Sequence, residues 1–262
     1  MRRRIEAFLG PFGSGKTEVA LNRGLLLAAD GSPVTLVDLD LVDPFFRARQ
    51  VRKTLAGAGI TVVAPEGEWE DADLPLLIPQ VFGALQRPGH VLLDVGGEVQ
   101  GAIILRQINT LLPEDAEIFL VINPYRPVMG TPERIVEMCR ALERAAGVRV
   151  TALVSVPHLG KETTREVVRR GHAVVSAASA LLGLPVRWVA VGETLAPQVN
   201  VGVEVLPLRL FMRPPWEEAG SAEKTGRAEE AGRIEETARV EETECAAGAA
   251  SPGGGTRGQD RH

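Results

Sequence analysis

The chain has 262 residues, 45% hydrophobic but only 4% aromatic, with a formal net charge of −5. That length suits one α/β domain of about 200 residues with an extension, and an aromatic-poor interior of Val, Leu, Ile and Ala suits a parallel sheet covered by helices. Residues 217–262 hold 11 acidic and 6 basic residues and so carry the whole imbalance, which leaves 1–216 neutral and without the basic footprint of a nucleic-acid binder.

Ile5–Leu9 reads as a first strand and Lys16–Ala29 as a helix stopped by Asp30-Gly31. Val34–Val37 follows as a strand, 45–58 as a helix, and Ile60–Ala64 as a short strand. Residues 75–85 have a helical pattern interrupted by two prolines. Val91–Val95 and Ile118–Ile122 are apolar strands. Glu133–Ala146 is the clearest helix, with Ile135, Met138, Leu142 and Ala145 on one stripe. Residues 149–156 read as a strand, and 162–182 as one helix or two broken near Gly171. Val186–Val191 is a last strand, and 203–213 fits no single pattern. Strands alternating with helices predict a three-layer, doubly wound, mostly parallel sheet over residues 1–216.

Beyond residue 216 the chain is rich in Glu, Ala, Gly and Arg, with a six-residue near-repeat beginning at Arg227, Arg233 and Arg239. A period of six builds no lasting apolar stripe, so 217–262 is expected to be a disordered acidic tail. The two cysteines, Cys139 and Cys245, stand far apart, and no Cys-x-x-Cys occurs. With no leader pattern and no apolar run of about 18 residues, the expectation is a cytoplasmic protein that neither enters a membrane nor binds nucleic acid.

The strongest motif is Gly10-Pro11-Phe12-Gly13-Ser14-Gly15-Lys16-Thr17, which fits G-x-x-x-x-G-K-[ST] with a strand before it and a helix after it. Glycines let a backbone wrap a phosphate with its N–H groups inward, and the helix N-terminus faces the same anion. Lys16, expected to be exposed at the helix start, would neutralise the β- and γ-phosphates. Thr17 would offer its hydroxyl to Mg²⁺. Val91-Leu92-Leu93-Asp94 supplies a second acidic position for Mg²⁺. Gly96-Gly97 follow, able to approach a γ-phosphate with no side chain in the way. The end of the second strand carries Asp38, Asp40 and Asp43; carboxylates crowded together imply a cation or a water to orient, while Asp43 before Pro44 also fits a helix cap.

Taken together, Gly13-Ser14-Gly15-Lys16-Thr17-Glu18, Val37-Asp38-Leu39-Asp40 and Asp94-Val95-Gly96-Gly97 resemble the MinD/ParA (CobQ/CobB/MinD/ParA) class of P-loop ATPases over residues 4–216. The resemblance implies a P-loop NTPase fold, ATP and Mg²⁺ as ligands, Glu18 within the nucleotide motif, Asp38 beside the metal, and Asp40 orienting the attacking water. The class's signature lysine, five positions before the P-loop lysine, is replaced here by Pro11, so no trans-acting lysine is implied there and monomer and homodimer both stay open. The reading is a Mg²⁺-dependent ATPase, forming ADP and phosphate, that signals to an unidentified protein partner. The alternatives are an ATP-dependent ligase or kinase of the dethiobiotin synthetase or cobyrinate amidase type, and a binding scaffold with negligible turnover. The loop Asn123-Pro124-Tyr125-Arg126-Pro127 is placed at the sheet edge where α/β ligands bind, as a nucleotide or partner surface or a plain proline-bounded loop. His158 is read as a base contact or a solvated loop residue, and His172 and His90 as structural.

Overall fold

A computed structural model describes residues 2–39, 52–64 and 79–211, apart from the side chains of 98–100. Asp40, Asp43, the first part of the helix expected over 45–58, residues 75–78 and the expected tail with its boundary at 216 lie outside the described residues. The described elements all belong to the unit Met1–Met212.

In chain order these are β1 (Arg4–Leu9), α1 (Lys16–Ala29), β2 (Val34–Leu39), α2 (Arg52–Gly57), β3 (Ile60–Val63), α3 (Pro79–Leu85) and β4 (His90–Val95). There follow α4 (Glu98–Ile108), β5 (Glu117–Ile122), α5 (Pro132–Ala146), β6 (Ala152–Ser155), α6 (Arg165–Leu182), β7 (Val186–Gly192) and β8 (Val205–Leu208). The eight strands form one sheet in the order β3-β2-β4-β1-β5-β6-β7-β8, and every described pairing is parallel. The chain moves outward from β1 in both directions, so the order reverses at the C-terminal end of β1. That is where an open α/β sheet leaves a crevice for ligands.

Side chains alternate across the strands, and both faces are buried, hence the near-continuous apolar runs. Ile5, Ala7 and Leu9 of β1, with Leu39, Leu93 and Leu120, pack beneath Leu105, Ile135, Leu142 and Val175 of α4, α5 and α6. Phe8, Leu36, Leu92 and Val154 face the other way, against Val19 and Leu21 of α1 and Leu55 of α2. This is the expected three-layer architecture. On the α1 face three of the chain's few aromatics meet across strands, Phe8 stacked on Phe119 at 5.4 Å and Phe119 tilted against Trp188 at 5.0 Å between ring centroids.

Polar pairing within this layer aligns α1. Glu6, 2% exposed on β1, accepts two hydrogen bonds of 2.9 Å from Arg23 of α1. His90 Nδ1 lies 3.6 Å from the same carboxylate, and the Arg23 guanidinium lies 5.0 Å over the Trp188 ring.

One element departs from the sequence reading, and two segments whose reading was open are decided. Helix α4 occupies a stretch for which no element was expected. Helix α6 is continuous through Gly171, capped at its start by the Thr164 side chain and stopped by Gly183. A Cβ at Gly171 would lie 2.7 Å from Pro157, 2.9 Å from Tyr125 and 3.0 Å from Pro124, so this glycine is a notch for two loops and not a break. The ambiguous segment 203–213 holds the edge strand β8, whose Pro207 is tolerated because only β7 pairs with it.

Candidate functional site

The phosphate-loop motif connects β1 to α1 at the C-terminal end of the sheet. Ser14 N donates to Pro11 O at 3.2 Å, closing a turn. Gly15 precedes α1 in a left-handed conformation (φ 95°), which suits glycine and brings the first helical N–H groups to the loop's mouth. Gly10, Pro11 and Ser14 are buried, while Phe12 projects at the tip, 54% exposed.

Lys16 differs from the expectation of exposure. It is 6% exposed, and its Nζ donates to Pro11 O at 3.3 Å, folding the side chain back across its own loop. A short loop closed over a helix start leaves the long side chain of its first residue only the interior of the loop to fill. Thr17 is also buried, at 8% exposure.

The two acidic positions converge on the same place. Asp94 of β4 is in register with Phe8 of β1 and with Asp38 of β2. All three positions share the face that packs on α1, by the alternation of Leu36 and Leu92 two residues before each acid. Adjacent strands run about 4.8 Å apart, so two carboxylates, 2% and 0% exposed, stand side by side next to the helix that begins Lys16-Thr17. Among the described residues no three His, Cys, Asp or Glu side chains form a metal-holding group. The donor set of Thr17 hydroxyl and two carboxylates nevertheless fits a hard divalent cation such as Mg²⁺. Such an ion would complete its shell with water or ligand phosphate oxygens.

The loop after β4 closes one flank. A Cβ on Gly97 would lie 3.2 Å from Phe12 N and 3.6 Å from Lys16 Nζ, so Gly97 backbone rests directly on the phosphate loop. Gly96 lies behind it: a Cβ on Gly101 of α4 would collide with the Gly96 carbonyl.

The opposite flank, beyond β5 and β6, holds the loop 123–127 that the sequence places at the ligand-binding edge of the sheet, together with His158. Asn123, 3% exposed, ties the two strand-end loops together. Its Oδ1 accepts from Tyr125 N (3.1 Å) and His158 N (3.4 Å), and its Nδ2 donates to His158 O (3.0 Å). Tyr125 OH donates to Val167 O of α6 at 2.6 Å. The Asn-Pro-Tyr-Arg-Pro loop is thus built into the site's wall. Only its position after a strand hinted at that.

Glu18 is turned elsewhere. Its carboxylate accepts from Phe211 N at 2.9 and 3.1 Å, and neighbouring Asn22 exchanges hydrogen bonds with Arg209 N (2.8 Å) and O (2.9 Å). In this structure Glu18 fastens the segment after β8 to α1. His172 is buried in α6 with Nε2 3.2 Å from Ser176 Oγ, and burial lowers its pKa below 6.5. His90 is lowered too, by burial that outweighs the Glu6 carboxylate.

No protein-family model and no curated protein matches the chain. Solved structures match. Cell division protein FtsY from Thermotoga maritima is 19% identical with a TM-score of 0.51, over 80% of this chain and 65% of that one. Signal recognition particle receptor FtsY from Elizabethkingia anophelis in complex with GDP is 18% identical with a TM-score of 0.52, over 80% and 61%. Signal recognition particle 54 kDa protein from Aeropyrum pernix in complex with GDP is 18% identical with a TM-score of 0.50, over 71% and 41%. At these identities the likeness shows a shared P-loop α/β fold. The chain spans less than two thirds of each of the three. Among the described residues, no helix is long and apolar enough to cross a membrane.

Proposed function

We propose that this chain is a P-loop nucleotide-binding protein, a Mg²⁺-dependent ATPase of the MinD/ParA type that signals its nucleotide state to a protein partner. One observation carries the reading: Asp38 and Asp94 stand in register on the face of α1, beside a phosphate loop that Gly97 touches from the same β4 flank. Loop N–H groups and the α1 terminus would hold the phosphates. Lys16 Nζ would exchange its bond to Pro11 O for β- and γ-phosphate oxygens. Mg²⁺, when bound, would offset phosphate charge at Thr17, Asp94 and Asp38. Gly97 backbone would meet the γ-phosphate and move when it leaves, giving a partner a nucleotide-dependent surface. Asp40, two residues past Asp38 and outside the described residues, is proposed to orient the attacking water.

The solved relatives whose names include GDP supply a specific alternative, a guanine nucleotide in the same loop. Calorimetry with ATP, GTP and ADP in the presence of Mg²⁺ decides between them, followed by phosphate release without any added substrate. ATP is expected to bind and to be hydrolysed slowly. Lys16→Ala is expected to weaken binding by about 100-fold or more, and Asp40→Asn to bind normally but lose about 100-fold in turnover, the size of a lost general base. Failure of all three nucleotides to bind refutes the reading, and tighter GTP than ATP refutes the adenine assignment.

A further inference from the structure

The flank of the phosphate loop opposite Gly97 carries a cation that the proposed function leaves without a task. Arg126 follows β5, is exposed, and donates from Nε to Gly13 O at 3.1 Å. Its guanidinium lies over the loop itself: a Cβ on Gly13 would stand 2.7 Å from Nε and 2.8 Å from both Cζ and Nη2. Nη1 and Nη2 make no hydrogen bond among the described residues, so most of the planar donor fork is unused beside the loop.

The support beneath Arg126 is rigid. Asn123 binds both backbone polar groups of His158, Tyr125 is tied to α6, and Arg134 Nη1 donates to Pro127 O at 2.6 Å. A side chain whose base is fixed on both sides is preorganised and loses little freedom on meeting a ligand. An anchor for Gly13 O alone needs one neutral donor. A guanidinium offers five donors and a full charge, and its fork matches paired phosphate oxygens.

The two flanks are chemically unlike. Gly97, Asp94 and Asp38 lie on the β4 side of β1, where a metal and the terminal phosphate belong. Arg126 lies on the β5 side, with Val156 of the β6 loop 3.1 Å from a Cβ on Gly15. A nucleotide whose last phosphate is at Gly97 must run its nucleoside end out over β5 and β6. We infer that Arg126 is a nucleotide-holding residue whose Nη groups donate to the α- and β-phosphate oxygens, so that it grips di- and triphosphate alike. This rests on the nucleotide reading above.

The test is calorimetry of ADP and of ATP with Mg²⁺ on wild type, Arg126→Ala, Arg126→Gln and Arg126→Lys, with melting curves of each variant free of nucleotide. The glutamine amide can still donate to Gly13 O but has no charge. Alanine and glutamine variants are expected to lose affinity for ADP and ATP by the same factor, about 10-fold or more, with lysine recovering part of it. Unchanged ADP affinity in Arg126→Ala overturns the inference, as does full recovery by glutamine, which would make Arg126 a loop anchor. Loss of turnover with ADP affinity intact also overturns it, by moving the guanidinium to the γ-phosphate. A wild-type protein that binds neither nucleotide defeats the underlying reading as well, an outcome distinct from any variant effect.

Discussion

Gly10→Ala tests whether the phosphate loop is held as tightly as the geometry requires. Gly10 has φ 153°, a conformation that L side chains rarely adopt. Its new methyl would lie 2.5 Å from Val121 O and 2.7 Å from Ser14 Oγ. Ser14 can rotate, but Val121 O is β5 backbone, fixed by a strand paired on both sides. Strain at such a φ costs about 1–3 kcal/mol, and a backbone shift to relieve the overlap costs a further 1–3 kcal/mol or so. For a domain of about 200 residues each kcal/mol is worth about 2–4 °C in Tm, so a loss of roughly 4 kcal/mol lowers Tm by about 8–16 °C. Calorimetric melting without nucleotide measures this, and a urea midpoint checks it independently. A Tm within about 2 °C of wild type would refute the argument, because Val121 O would then be free to yield.

Other expectations follow from the buried polar groups. Glu6→Gln keeps the shape of the side chain but leaves Arg23 without its anion, and should cost about 3 kcal/mol by denaturant unfolding; a change below about 1 kcal/mol would mean that solvent already satisfies Arg23. His172 and His90 are both held neutral in the fold, with pKa values below 6.5. The unfolded chain therefore takes up protons first as pH falls, and stability present above about pH 6.5 declines as the pH drops toward the folded-state values. Melting from pH 7.5 to 5 should show that decline, and His172→Leu should reduce its slope; an unaltered slope would remove His172 from the explanation.

The strand–loop–helix junction at residues 10–17 was legible from its glycines and its flanking apolar patterns. The common facing of Asp38 and Asp94 follows from alternation once the strands are placed. Helix α4 was not legible: its pattern opens after two glycines and contains Gly101, which reads as interruption but is required where a Cβ would strike the Gly96 carbonyl. Whether the helix runs through Gly171 was open for the same reason, since the loops that need its notch lie 14 or more residues away in sequence. The burial of Lys16 ran against the general preference of lysine for solvent, and only the closed loop around it overrides that preference. Arg126 meets Gly13 across 113 residues, a separation that no local pattern encodes.

The attachment of Arg209 and Phe211 to Asn22 and Glu18 has a mechanical side. The helix whose first residue fills the phosphate loop is also the post to which the outgoing chain is moored, by four hydrogen bonds within its first two turns. A small tilt or rotation of α1 on filling the loop would carry the mooring with it. The point at which the polypeptide leaves the sheet would therefore move as the end of a short crank driven from the loop.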